Sequence, residues 1–275
     1  MRKHLQQCFA IYSKPLDKNG QLRGARKGER RKGVGRPKRG ERASERHRKR
    51  GDFAAREPIH VIVRATRDVQ PLRRTALYKA IRRATEVVAR RNDMRIVELS
   101  IQNTHIHLMC EARDRTSLAK GMQSFGVSAA RNINTALLRE AIARGERDAT
   151  ARRGPVIADR YHACVLKTPR QVRNCLAYIL NNWRHHRVDR NHAWPCDPYS
   201  SGPVFTGWRE LGGKALALPS LYRPLVVTPA STWLLRVGWK LRNGNVSLYE
   251  VPGDNDGLEP RSRPLKGTVV GAGRS

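Results

Sequence analysis

Two imidazoles flank a single isoleucine in an otherwise apolar run, NTHIHLMCEA at residues 103–112. Successive side chains of an extended chain point to opposite faces. His105 and His107 therefore share one face, and Ile106, Leu108 and Cys110 share the other. Two adjacent ring nitrogens form a partial metal site that lacks a third ligand. The same pair also reads as two hydrogen-bonded histidines on a half-exposed strand. Further along, in CLAYILNNWRHH, Tyr178 and Asn182 stand four residues apart. At about 100° per residue, Val172, Cys175, Leu176, Ile179 and Trp183 form an apolar face and Tyr178 lies roughly 120° from its centre. Around Tyr178 fall Asn174, Asn181, Asn182 and His185, a polar stripe without charge. A phenol and an amide one helical turn apart can project together. With 55 Lys and Arg among 275 residues, an uncharged helix face points to a cavity; an ordinary solvated face is the plain alternative.

The elements that would hold these groups follow from periodicity. In REPIHVIVRATRD, Ile59, Val61 and Val63 alternate with His60, Ile62 and Arg64, as in a strand. A helix is expected from about Leu72 to Arg91, with Leu77, Ile81, Ala84 and Val88 on one stripe. MRIVELSIQNTHIHLMCEA reads as two strands turning at Gln102–Thr104. A long helix follows from about Thr116, carrying Leu118, Met122, Phe125, Ala129, Ile133 and Leu137. ARGERDATARRGP is a loop, VIADRYHACVLK a further strand, and TPRQVRNCLAYILNNWRHH a helix. That helix opens with a capping box of Thr168 and Gln171, with Pro169 in its first turn. The order predicts an α+β fold, a ferredoxin-like antiparallel sheet with helices on one face. From about residue 187 the chain is rich in Pro and Gly and holds one amphipathic piece, STWLLRVGWKL, either docked on the core or part of a small extra module.

The net charge of +32 and the pI near 11.3 concern partners rather than fold, and they point to a polyanion, nucleic acid first. No apolar run has the length of a membrane span, and MRKHLQQCFAIYSK has too short an apolar stretch for a signal peptide. Five cysteines without a CxxC pair argue against a disulfide framework and a zinc ribbon, and for a reducing cytoplasm. Residues 1–51 carry 18 Lys and Arg against 4 Asp and Glu, a net of +14, with too little apolar surface to offset ordering entropy, and read as a disordered arm. Within it KGVGRPKRG, containing Arg36, Lys38 and Arg39, resembles an AT-hook, in which Gly-Arg-Pro lies in a narrow minor groove; a generic basic tail is the plain reading.

Other residues have a sharp and a bland reading. Tyr161 is a second phenol, read as packing. His60 and His162 read as structural or phosphate-facing, Arg160 and Lys167 as phosphate contacts or surface charge. Glu111 either tunes a ligand or is exposed, and Cys110 and Cys175 are core fillers.

HIH after a hairpin, DRYHACVLKTPRQVRNCLAYILNNWRHH, and a GRPKRG arm ahead of PIHVIVR together resemble the REP-associated tyrosine transposases. These are one-tyrosine single-strand DNA transposases of the HUH (His-hydrophobic-His) type. The resemblance covers about residues 52–186. It implies the HUH endonuclease fold, with domains at 1–51 (arm), 52–190 (tyrosine transposase) and 191–275 (loop-rich extension). It implies that His105, His107 and Asn182 hold a divalent metal, Mg or Mn, and that Tyr178 is the nucleophile. Asn182 departs from the Gln that many relatives carry there. The implied reaction is cleavage and rejoining of single-stranded DNA at hairpin-forming palindromes, through a 5′-phosphotyrosine. A bacterial, DNA-associated protein is implied, with monomer and dimer both open. A non-catalytic basic nucleic-acid-binding protein is the alternative. A replication-initiator type of HUH nuclease would bring a third histidine or another motif order.

Overall fold

Alternating β-branched residues make β1 (Ile59–Arg64), one of two inner strands with partners on both sides. It pairs antiparallel with β3 (His105–Ala112) and with β4 (His162–Val165), and β2 (Met94–Ile101) pairs antiparallel with β3. The sheet order is β2-β3-β1-β4. Two helices lie between strands, α1 (Thr75–Ala89) and α2 (Arg115–Ala143), and α3 (Pro169–His185) follows β4. This computed structural model describes residues 51–251 apart from 147 and 192. The basic arm with Arg36, Lys38 and Arg39 lies outside the described residues. No helix among the described residues is long and apolar enough to cross a membrane.

The predicted stripes are buried where expected: Leu77, Ile81, Ala84 and Val88 on α1, and Leu118, Met122, Phe125, Ala129 and Ile133 on α2. They meet Ile59, Val61, Val63, Ile106, Leu108 and Cys110 in one core. Helix α2 starts at Asp114, whose carboxylate accepts from Ser117 N at 2.7 Å, an N-cap that satisfies one of the open amides of the first turn. The expectation of helices on one face only is corrected. Helix α3 covers the opposite face, where Met109 and Val97 meet Val172, Cys175, Leu176, Ile179 and Leu180. The physical reason lies in the strands, because their alternate positions are also sealed from water: His60 is 2% exposed, Ile62 6% and His107 1%. A bulge between Ile96 and Glu98 adds a residue to β2, so Val97 joins the α3 side while Ile96 stays in the α1–α2 core.

Two boundaries differ from the periodicity. Helix α1 begins at Thr75 rather than Leu72, because residues 72–74 clasp the β2–β3 turn instead. Leu72 N donates to Asn103 O at 2.8 Å and Arg73 Nη1 to Ile101 O at 2.9 Å. The strand expected over VIADRYHACVLK is broken. Ile157 bridges Ala65 and Ala158 N donates to Arg64 O, then the Asp159 carboxylate accepts from Arg160 N at 2.7 Å and β4 starts at His162.

The segment after α3 docks on the core. Phe205, Trp208, Leu234, Leu235, Trp239, Val246 and Leu248 share the α3-side core. Polar contacts pin it: Arg73 and Asp197 form a buried bidentate pair at 2.8 Å, and Arg173 pairs with Glu250. Glu111 is neither a ligand neighbour nor exposed. It is 3% exposed and accepts from Ser231 N and Thr232 N at 2.8 Å, capping the turn that STWLLRVGWKL forms.

Candidate functional site

The strand alternation that buries Ile106 and Leu108 on one face sends His105 and His107 to the other, under α3. Their Nε2 atoms stand 2.8 Å apart with ring planes at 87°. Each outer nitrogen is held by a neighbour. Thr104 Oγ1 lies 2.9 Å from His105 Nδ1, and His60 Nε2 lies 3.1 Å from His107 Nδ1. The antiparallel register fixes this, since Ile62 pairs with His107 and His60 lies two positions along on the same face.

Helix α3 brings Tyr178 onto the same spot. Its capping box forms as expected: Thr168 Oγ1 accepts from Gln171 N, and Gln171 Oε1 accepts from Thr168 N, both at 3.2 Å. With Val172, Cys175, Leu176, Ile179 and Trp183 buried, Tyr178 is half-buried. Its ring stands edge-on to His107 at 5.1 Å and to His60 at 6.2 Å. Asn182, one turn on, is fully buried, and neither of its amide atoms has a hydrogen-bond partner.

Burial sets the charge of the imidazoles. It pushes His60 down to about 3 and His105 to about 4, and holds His107 well below the usual histidine range. Repulsion between the protonated forms of neighbouring rings adds to each shift, with His186 and Arg64 acting on His105. Near neutral pH these rings are uncharged and keep a lone pair each, the form in which histidine binds metal.

The donors fit a small cation. Metal–imidazole bonds of about 2.0–2.1 Å put two ligand nitrogens on one ion roughly 3 Å apart, close to the observed Nε2 separation. The buried, unpaired Asn182 amide supplies a polar group that otherwise has no compensation. Among the described residues no three His, Cys, Asp or Glu side chains cluster as a metal site; an amide such as that of Asn182 would be a ligand of another kind.

The remaining candidates separate. Tyr161 packs against the α1–α2 core, on the face away from the histidines. Arg160 is half-buried before β4 and Lys167 exposed after it, and the two bracket that strand. Asn181 belongs to the docked segment, donating to Ser247 O at 2.9 Å, so the polar stripe beside Tyr178 is partly a docking surface rather than a cavity. Cys110 and Cys175 are buried free thiols. Sequence reasoning underrated His60 and Thr104. The signal for His60 was its parity on β1, which became meaningful only with the β1–β3 register. A cleft of about 560 Å³ elsewhere on the molecule contains none of these residues. It is lined by Val97, Glu98, Phe205, Trp239, Arg236 and Lys240 among others, and burial pushes Glu98 up to about 8.

No curated protein sequence matches the chain. A solved structure of a REP-associated tyrosine transposase bound to a REP hairpin is similar over 67% of this chain and 100% of that one, at 14% identity and a TM-score of 0.43. The family model for IS200-like transposases matches residues 56–182. That span holds all four strands, the histidine pair and the helix of Tyr178 up to Asn182, and over it the chain is similar to the IS200-like transposases.

Proposed function

We propose that this protein cuts and rejoins single-stranded DNA with Tyr178 as nucleophile, in the HUH form of the ferredoxin-like fold. The observation that carries the reading is the convergence of the His105 and His107 Nε2 atoms under the Tyr178 ring, 5.1 Å from that of His107, with the unpaired Asn182 amide one turn on. Tyr178 Oη attacks the phosphorus of a phosphodiester. The new Tyr–O–P bond forms as the P–O3′ bond breaks, the phenol proton is lost, and the leaving oxygen ends as a free 3′-OH. Because the phosphotyrosine keeps a phosphodiester linkage, attack by another 3′-OH rejoins strands and frees the tyrosine without ATP.

His105, His107 and Asn182 would hold a divalent cation, Mg or Mn. Such an ion, when bound, polarises the scissile phosphate and offsets charge on its oxygens. The chain's own share is positioning: the β2–β3 turn and β1 aim the imidazoles, and burial keeps them neutral. The capped α3 fixes the tyrosine over them. Arg160 and Lys167, with Arg36, Lys38 and Arg39 of the arm, are proposed phosphate contacts. The proposed DNA is a palindrome folded as a hairpin.

The test is one incubation of labelled hairpin-bearing single-stranded DNA, with Mn²⁺ or Mg²⁺ and then with chelator. The expected result is a covalent protein–DNA band on a denaturing gel that requires metal. Tight binding without cleavage would favour a non-catalytic binding protein instead.

A further inference from the structure

We propose that His60 is a positioning residue that holds His107 with its Nε2 lone pair directed at His105 and the tyrosine. This rests on the metal-dependent reading above and names a group which that reading does not use. A polar ring on an inner strand, only 2% exposed, is costly to bury unless its nitrogens are used. The structure shows the use: His60 Nε2 lies 3.1 Å from His107 Nδ1, with the rings stacked at 5.2 Å and 25°.

The hydrogen bond between His107 Nδ1 and His60 Nε2 can run in two directions. In one, His107 donates from Nδ1 to His60, and its Nε2 carries the lone pair. In the other, His60 donates to Nδ1, and the His107 proton sits on Nε2, where a cation would have to be. A ligand histidine generally needs its second nitrogen to donate outward, which fixes both tautomer and ring angle. Thr104 Oγ1 is placed to accept in this way from His105. His60 Nε2 is placed to do so for His107. The His60 ring also sits edge-on to Tyr178 at 6.2 Å, so its plane limits how far both the tyrosine and His107 can tilt.

The experiment compares the full-length protein with His60→Phe, which keeps a ring and removes the acceptor, and His60→Gln, which returns an amide near the Nε2 position. Mn²⁺ affinity is measured by titration calorimetry without DNA, thermal unfolding is followed alongside, and nitrogen-detected NMR reads the His107 tautomer in the metal-free protein. The expected result is an Nδ1–H tautomer at His107 in the parent protein. Mn²⁺ affinity should fall about 10–100-fold in His60→Phe and recover at least partly in His60→Gln. An Nε2–H tautomer in the parent, or unchanged Mn²⁺ affinity in a folded His60→Phe, would overturn the inference. If His60→Phe fails to fold, the parent tautomer and His60→Gln decide. Intact, His60-dependent Mn²⁺ binding in a protein that never cuts DNA would sink the proposed reaction and leave the role of His60 standing.

Discussion

On the α1–α2 face of the sheet, Ile59, Val61, Val63, Ile106 and Leu108 close against Phe125, Met122 and Leu77 with no ionisable partner among them. On the α3 face, the residues interleaved with those along the same two strands are His60, Ile62, His105, His107 and Met109. One backbone register thus serves both surfaces. The first keeps the sheet together by apolar burial. The second is also sealed, but it spends buried positions on imidazoles, an unpaired amide and a carboxyl whose ionisation burial disfavours. The difference teaches that chemistry and stability are separable here by residue parity. Changes at the histidines and the tyrosine should read out in cleavage, and changes in the α1–α2 core in unfolding.

The largest expected effect tests the chemical face. Tyr178→Phe keeps the ring that packs on His107 and loses only the hydroxyl, so the covalent DNA adduct should disappear while DNA affinity stays near that of the parent. Tyr161→Phe, on the quiet face, should still form the adduct. A labelled hairpin substrate on denaturing gels separates the two, and a persistent band in Tyr178→Phe beside its loss in Tyr161→Phe would reverse the assignment. Next comes His107→Ala or His105→Ala, expected to lose metal-stimulated cleavage by about a hundredfold or more, since one of few ligands is removed. Both variants should fold and bind DNA. Failure of either to fold would mean that the two faces are not separable as described.

The opposite change tests the quiet face. Phe125 is fully buried against the sheet, so Phe125→Ala should cost about 3–5 kcal/mol of unfolding free energy, measured by urea denaturation. Cleavage per folded molecule should be unchanged. A specific loss of chemistry in the folded fraction would show that the α1–α2 core tunes the site as well as supporting it.

The buried titratable groups give the α3 face a pH signature. Glu98 is pushed up from 4.5 to about 8, mainly by burial, against a smaller opposing hydrogen bond from Ser201. The folded protein therefore keeps a proton that the unfolded chain releases above 4.5, and stability should fall as pH rises through about 8. His60 and His105 are shifted the other way from 6.5, so their contribution is lost as pH falls below that value. Between pH 6.5 and 8 each unfolded histidine loses only its last half proton, worth about 0.4 kcal/mol per ring, which leaves Glu98 to set the sign of the slope. Urea midpoints should decline over that interval, with Glu98 contributing about 1–2 kcal/mol against the smaller histidine gain, and Glu98→Gln should remove the decline. A flat profile in the parent would place Glu98 in better contact with water than its burial indicates.

How much of this was legible in the sequence also divides by face. The α1–α2 core follows from periods of two and 3.6, so its strands, stripes and caps could be read directly. The second face depended on long-range pairing. That His60 meets His107 follows from the β1–β3 register, and that Asn181 serves Ser247 rather than a cavity depends on how a segment rich in Pro and Gly docks. Neither signal is local. Tyr178 was legible because it departs from its own helix stripe, and Glu111 was misread because its partners, Ser231 and Thr232, lie far along the chain.

The smallest predicted effect concerns the rim of the chemical face. Arg160 and Lys167 bracket β4, the edge strand beside β1, and neither is needed by the apolar core. If each meets one phosphate, Lys167→Ala should weaken binding of single-stranded DNA only a few-fold and lower the slope of log affinity against log salt by about 0.7. Arg160→Ala should do the same, and the double variant should lose roughly twice that slope because the sites are separate. Removing residues 1–51, with their net +14, should flatten the slope by several units and so calibrates the measurement. Titrations at four or more salt concentrations resolve these changes. An unaltered slope in Lys167→Ala would assign its charge to solvent, and it would confine the DNA-facing part of the folded chain to the groups gathered around Tyr178.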